Sequence, residues 1–361
     1  MDRRKFVQAL GAGALCCWAQ AMYTPAMAYR ATKGAQKWRG FNLLNYFNAD
    51  YMQPFREEEW QWMHEWGFNF VRLPLSYWCW SRPGDYYHMD ERVLADLDHC
   101  VEWARKYRIH VCINLHRAPG YCVNPPAEPE NIFESARALD GCAHQWAVLA
   151  QRYASVPARW LSFNLLNEVA NVKDSDYERV VRHLVKAIRQ YSPGRLIMID
   201  GLDWGCRPLT SVGDLDNIIQ CGRGYQPMLI SHYEASWVFG DKPMALPRHR
   251  LSWPLEADGL VYDRTYLRNL LQEAWKPLLE QGRQPVFIGE FGSHNRTPHP
   301  VALAWLKDNL DVFHELGMGW SLWNLKGSFG ILDSGRDDVD YEDFHGHRLD
   351  RAMLDLLRKY L

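Results

Sequence analysis

Short apolar runs alternate along the chain with longer amphipathic stretches. "WRGFNLL" from Trp38 is the first run. In "EEEWQWMHEWG", Glu57 to Gly67, the residues Trp60, Met63 and Trp66 recur at helical spacing, and the pattern stops at Gly67. "FNFVRLPL" from Phe68 is the second run, and "VLADLDHCVEWARKY" from Val93 reads as a helix. "IHVCINLH" from Ile109 is the third run, followed by a Pro/Gly-rich loop and a helix near Asp140 to Tyr153. "WLSFNLLNEV", Trp160 to Val169, is the fourth run, and "YERVVRHLVKAIRQY" the next helix. "RLIMID" from Arg195, "PMLISHY" from Pro227, "PVFIGEFG" from Pro285 and "MGWSLWNL" from Met318 are assigned as the fifth to eighth runs. "NIIQC" at Asn217 is an extra strand candidate, Ala235 to about Arg264 reads as a long loop over one end of the fold, and "LDRAMLDLLRKYL" closes the chain as a helix.

Strands buried on both faces read as continuous apolar runs, and helices between them imply parallel pairing through right-handed crossovers. Eight such units in 361 residues predict an α/β fold of the (β/α)8 TIM-barrel type, as a single domain over residues 29–361. A doubly wound open sheet is the alternative, but no Gly-rich phosphate loop follows the first strand.

The polar residues then fall into a pattern. In a barrel of this kind, functional side chains collect at the C-terminal ends of the strands. Asn42 follows the first run, Arg72 ends the second and His116 the third. Asn167 and Glu168 end the fourth, His232 and Tyr233 the assigned sixth, Glu290 the seventh and Trp323 the eighth. Each has a plain structural reading: a strand-end ion pair for Arg72 with Glu290, a satisfied core histidine for His116, packing for Tyr233 and Trp323, a helix-start charge for Glu168. The fold would nonetheless send all of them to one cavity. Two carboxyl groups facing each other there suit glycoside hydrolysis, where one acid protonates the leaving oxygen and the other carboxylate attacks carbon or activates water. On this reading Arg72 holds Glu290 ionised, and burial plus the charge of its partner raises the pKa of Glu168. Asn167 is placed to bond a sugar 2-hydroxyl, His232 and Tyr233 to orient the nucleophile, and Trp323 to form the floor beneath the reacting sugar.

Composition adds to this picture. The chain has 17 Trp and 18 Tyr, rings that pack on the C–H faces of sugars as well as in barrel helices. A net charge of −2 with no basic block gives no reason to expect nucleic acid or an anionic membrane as partner. The opening "MDRRKFVQALGAGALCCWAQ" with "AMA" at Ala26 to Ala28 reads as a twin-arginine-like export signal over residues 1–28, removed after Ala28. Its apolar run is too short to span a membrane, so a soluble exported monomer, periplasmic or extracellular, is expected. Of nine Cys, the seven beyond the signal are unclustered and lack any C-x-x-C spacing, against a zinc site. "DFHGHRLD", with His345 and His347, is assigned to a solvated loop rather than a metal site, and neither metal nor cofactor is expected. His294 and His299 are further candidates to line a substrate subsite.

The pieces "RGFNLLNYF", "VRLPLSYW", "NLHRAPGY", "NLLNE", "SHY", "IGEFG" and "GWSLWNLKGSFGILD" stand in order over nearly the whole chain after residue 28. In this the sequence resembles glycoside hydrolase family five, the cellulase-type members of the large barrel hydrolase clan. The resemblance implies a retaining β-glycosidase with Glu168 as acid/base and Glu290 as nucleophile. It implies that Arg72, His116, Asn167, His232, Tyr233 and Trp323 form the supporting set. It further implies an endo-acting β-1,4-glucanase, with mannan, β-1,3-glucan or end-trimmed oligosaccharides as other substrates of the same machinery. A catalytically silent carbohydrate-binding barrel is the reading from another class. The sequence departs from the family pattern at one place: the family has one residue between its sixth-strand His and Tyr, whereas His232 and Tyr233 adjoin. Either the Tyr has shifted by one residue or another takes its role, and Tyr225 is the candidate.

Overall fold

A computed structural model describes residues 34–361 apart from 242 and 245, so the predicted signal lies outside the described residues. Eight parallel strands close into a barrel: β1 (Arg39–Asn42), β2 (Phe70–Ser76), β3 (His110–Arg117), β4 (Leu161–Asn164), β5 (Leu196–Asp200), β6 (Ile218–Gly224), β7 (Val286–Phe291) and β8 (Gly319–Leu322). Each pairs with its neighbours in chain order, and β1 pairs with β8 to complete the ring. The long helices are α1 (Glu57–Trp66), α2 (Glu91–Tyr107), α3 (Ala136–Arg152), α4 (Asp174–Tyr191), α5 (Arg264–Gln281), α6 (His299–Glu315) and α7 (Arg351–Arg358). Between β5 and β6 there are only two short helical turns, Leu202–Gly205 and Thr210–Val212.

The helices form where side-chain spacing demands them. In α2 the residues Val93, Leu94, Leu97, Cys100, Val101 and Ala104 are buried, a stripe at helical period, and the Asp90 side chain caps the start by accepting from the Arg92 N–H. α1 begins with three glutamates, which suit the positive end of a helix, and ends at Gly67 with φ of 95°.

The continuous apolar runs of the strands conceal a period of two. Phe70, Cys112, Leu196, Met198, Ile219, Cys221 and Phe287 point inward and pack with Trp38 as the barrel's lower filling. Val71, Val111, Ile113, Phe163, Ile197 and Ile288 point outward into the core shared with the helices. His110 is stacked between Trp38 and Phe70 at ring distances of 3.9 and 5.7 Å and closes the bottom of the barrel. Two residues further along β2, β3, β5 and β6 the inward positions are Arg72, Asn114, Asp200 and Arg223, and Asn164 of β4 joins them by bonding Arg72 and Asp200. The interior is thus apolar at its N-terminal end and polar at its C-terminal end.

Three expectations are corrected. The sixth barrel strand is Ile218–Gly224, not "PMLISHY", of which Met228–Ser231 is a single helical turn begun at Pro227. Glycines at 222 and 224 weaken the strand signal of β6, but they are required by packing. A Cβ on Gly222 would stand 3.0 Å from the Trp275 ring of α5. The stretch from Ala235 to Arg264 is not all loop. It holds an antiparallel pair, Leu255–Ala257 with Leu260–Tyr262, turned through Asp258 and Gly259 at φ of 51° and 76°. Likewise "DFHGHRLD" forms a hairpin, Glu342–Phe344 with Leu349–His347, rather than an open loop.

The Trp146 side chain on α3 is wholly buried against Phe163 of β4, ring centroids 5.1 Å apart. Trp146→Ala is expected to lower the unfolding free energy by about 3–5 kcal/mol through the cavity it leaves. A urea titration reads this as a lower midpoint at unchanged slope.

Candidate active site

Glu290 owes its direction to an irregularity in β7. Phe287 points inward and Ile288 outward, so strict alternation would turn Glu290 away from the barrel axis. The register shifts instead. Trp320 and Leu322 of β8 stand opposite Ile288 and Phe291, and Gly222 and Arg223 of β6 opposite Ile288 and Glu290. The extra residue is Gly289, and the bulge re-aims Glu290 inward. The Gly289 carbonyl accepts from Ser321 Oγ at 2.6 Å and from Asn42 Nδ2 at 3.1 Å. Asn42 therefore supports the bulge and, through its Oδ1, accepts from Arg72 at 3.1 Å.

Arg72, 1 % exposed, uses its whole guanidinium. Nη1 donates to Glu290 Oε1 at 2.7 Å, Nη2 to Asn167 Oδ1 at 2.8 Å and Nε to Asn164 Oδ1 at 3.0 Å. Glu168 is set by the backbone. Its φ is 50°, a left-handed conformation rare for a glutamate and of a kind found at functional sites. Its N–H donates to Asp200 Oδ2 at 2.8 Å, and its carbonyl accepts from Tyr121 Oη at 3.0 Å. The same Tyr121 oxygen accepts the Ala170 N–H at 3.1 Å and locks the turn from the other side.

Arg223, at the end of β6, joins the two carboxylates. Nε donates to Glu168 Oε1 at 2.8 Å. Nη2 donates to Asn167 Oδ1 at 2.9 Å, lies 3.2 Å from Glu290 Oε1, and makes a short ion pair with the wholly buried Asp200. Asn167 accepts from both arginines, which fixes its amide orientation and turns Nδ2 toward His116 Nε2 at 3.3 Å. The donor amide requires His116 Nε2 to be an acceptor. Burial, with Arg72 and Arg223 nearby, holds this imidazole neutral well below its usual range.

The cluster contains two guanidinium groups and three carboxyl groups, Glu168, Asp200 and Glu290. With every group ionised it would carry one net negative charge out of water, which is costly. One bound proton makes it neutral. Burial and the charge of Glu290 place that proton on Glu168, whose pKa is raised to about 7 against the opposing pull of Arg223. Asp200 and Glu290 are the ion-pair partners of the arginines.

Tyr225, two residues after Arg223, donates its hydroxyl to Glu290 Oε2 at 3.1 Å. Tyr233 does not reach the carboxylate; its hydroxyl donates to the Leu246 carbonyl at 2.9 Å, which corrects its expected place beside the nucleophile. His232 packs edge-on against the Tyr225 ring at 4.9 Å and hydrogen-bonds Ser231, so it braces Tyr225 rather than Glu290. Arg223-Gly224-Tyr225 has the one-residue spacing expected of the family at this strand, with arginine in the histidine position. The Trp323 ring lies partly exposed at the mouth, stacked on His116 at 5.6 Å. His294 faces Trp237 at 5.1 Å, and that ring is 63 % exposed beside the same opening. His299 is not at the mouth; it lies 2.8 Å from the buried Asp350. Among the described residues no group of three or more ligating side chains could hold a metal, all seven cysteines are free thiols, and no helix is long and apolar enough to cross a membrane.

Asp200, Tyr121 and Arg223 were missed from the sequence. Asp200 ends "RLIMID" and obeys the same strand-end rule as the others. Arg223 was hidden by the misassigned sixth strand.

Residues 29–328 match the family model described as cellulase (glycosyl hydrolase family 5). The chain belongs to this family. A crystal structure titled as a glycoside hydrolase is 37 % identical, covers 90 % of this chain and 99 % of its own, and superposes with a TM-score of 0.81. Endoglucanase C of Acetivibrio thermocellus is 25 % identical over 319 residues, 82 % of this chain and 92 % of that protein. Cellodextrinase A of Ruminococcus flavefaciens is 23 % identical over 263 residues, 70 % of this chain and 73 % of its own length. The protein is a glycoside hydrolase on a single (β/α)8 barrel.

For this hydrolase the two tyrosines separate cleanly. Tyr225→Phe removes a hydrogen bond to a charged group and is expected to slow glycoside hydrolysis about 10–100-fold. Tyr233→Phe is expected to stay within about twofold of wild type, since its partner is a loop carbonyl. Steady-state rates of the two variants, with folding checked by circular dichroism, test the assignment.

Proposed function

We propose that this family 5 member is an endo-acting, retaining β-1,4-glucanase, with Glu290 as nucleophile and Glu168 as acid/base. The observation that carries the reading is the unequal treatment of two neighbouring carboxyls. Glu290 receives Arg72, Arg223 and Tyr225, which hold it as an anion ready to attack. Glu168 has one cationic partner and a pKa raised to about 7, which suits a proton donor. Double displacement needs the two groups about 5 Å apart, and two carboxylates on neighbouring nitrogens of one guanidinium support that spacing.

In the first step Glu168 gives its proton to the glycosidic oxygen while a Glu290 oxygen bonds the anomeric carbon and the C–O bond to the leaving sugar breaks. In the second, Glu168 takes a proton from water, the water oxygen bonds the anomeric carbon, and Glu290 leaves as a carboxylate. Asn167 retains an N–H for the sugar 2-hydroxyl, and Trp323 lies beneath the reacting ring. The names of the endoglucanase relatives support a glucan cut internally. The Arg3–Arg4 segment supports export of the mature chain from residue 29.

Purified mature protein should release oligomers of mixed length from soluble β-1,4-glucan, with viscosity falling faster than reducing ends appear. Products clipped only from chain ends would remove the endo assignment, and binding without hydrolysis would remove the enzyme. Glu168→Ala is expected to lose about 10²–10⁴-fold in rate. Glu290→Ala should lose at least as much, and azide should rescue it on an aryl glycoside with inverted product. Near-normal turnover by Glu290→Ala would overturn its role. Because the acid must be protonated, wild-type activity should fall as pH rises through about 7.

A further inference from the structure

Among the described residues, Arg223 alone is a cation in contact with both Glu168 and Glu290. Arg72 contacts Asn42, Asn164, Asn167 and Glu290, and has no bond to Glu168. We propose that Arg223 is a positioning residue whose fixed charge is shared by Glu290 and Glu168, so that Glu168 keeps a cation in contact once it has lost its proton and can then accept one from water. The proposal rests on the double-displacement reading.

The charge count of the site explains the need. Before the reaction, Glu290 and Asp200 are anionic, Glu168 holds the proton, and the two arginines balance the two anions. In the first step the Glu290 oxygen bonds the anomeric carbon, and the leaving oxygen departs with the Glu168 proton. Glu290 is now a neutral ester and Glu168 an anion, so two cations still face two anions. The new charge on Glu168 has a cation in contact only because Arg223 already touches both carboxyls, through Nε and Nη2, and serves each without moving. Asp200 holds that edge from Nη2 and also bonds the Glu168 N–H, so guanidinium and glutamate share one anchor. The absent side chain of Gly289 leaves room for this placement, since a Cβ there would stand 3.0 Å from Arg223 Nη1. When water then attacks, its proton passes to Glu168, the ester C–O bond breaks, and Glu290 regains its charge beside Arg72 and Arg223.

The charged groups facing this pair are Asp200 from β5, Glu290 from β7 and Arg72 from β2. The other titratable neighbours stay neutral. Burial pushes the Tyr121 and Tyr225 hydroxyls and the Cys206 thiol up, and pushes His116 down. Tyr177 and Cys221, against Asp200, are likewise pushed up by burial. A pH response in the working range therefore belongs to Glu168.

The test is a carbon-13 NMR titration of the full chain labelled at the glutamate side-chain carboxyl, with Glu168→Gln to assign its signal. Glu290→Gln stands in for the neutral ester. The Glu168 midpoint should fall in Glu290→Gln, and adding Arg223→Gln should raise it by about one pH unit or more, with Arg223→Lys in between. Pre-steady-state turnover of a dinitrophenyl β-cellobioside supplies the second readout. In Arg223→Gln the aryl burst should remain resolved and slow less than the following phase, which slows about tenfold more at pH below the Glu168 midpoint. A Glu168 midpoint unmoved by Arg223→Gln, or equal slowing of both phases at every pH, would overturn the proposal. Should the glutamine variant fail to fold, Arg223→Lys carries the same titration, and an unmoved midpoint there is the overturning result. A shifted midpoint in a chain that hydrolyses no β-glycoside would leave the coupling standing and sink the double-displacement reading instead.

Discussion

Two guanidinium groups and three carboxyl groups buried at one end of the barrel are the constraint on which the structure of the site depends. Charges taken out of water are tolerated only when each finds partners of good geometry. Arg72 and Arg223 meet this by spending every nitrogen on a carboxylate, an amide or a backbone carbonyl. The amides between them have no freedom left. Asn42, Asn164 and Asn167 each accept from a guanidinium with the oxygen, and the nitrogen of each is turned toward an acceptor. The result is a rigid electrostatic frame, in which a single proton on Glu168 is the one adjustable charge.

That frame needs a particular backbone. The strands bring Arg72, Asn164, Asp200 and Arg223 together above the apolar filling; Arg72, Asp200 and Arg223 each stand two residues beyond an apolar inward position, and Asn164 two beyond Ser162. Strand β7 would break the pattern without its bulge, since Glu290 is three residues beyond Phe287. The lower half of the barrel has the opposite chemistry. Trp38, Phe70, His110 and Phe287 pack there as a dry aromatic plug. The polar network stands above this apolar floor, toward the mouth where partly exposed Trp323 and exposed Trp237 present aromatic faces.

Five of the seven long helices and seven of the eight strands were legible from periodicity, because their packing faces repeat at 3.6 or follow continuous apolar runs; α5 and α6 were not read. Strand β6 was read only in part: "NIIQC" stood as an extra strand, but the "GRG" that completes it carries two glycines packed against α5 and α6, and its place in the barrel was given to another segment. The error had a chemical consequence. It pointed to His232 and Tyr233 for a role that Tyr225 fills, and it concealed Arg223.

The sequence by itself determined the architecture, the family, and the two glutamates with their arginine, because strand-end positions in a barrel converge whatever the loops do. Tertiary structure alone decided which way Glu290 points, which tyrosine meets it, and that Arg223 and Asp200 complete the charge balance. A bulge is a mismatch between two strands, and an ion cluster is a property of several. Neither exists in a single segment, so neither can be read from the order of residues within one.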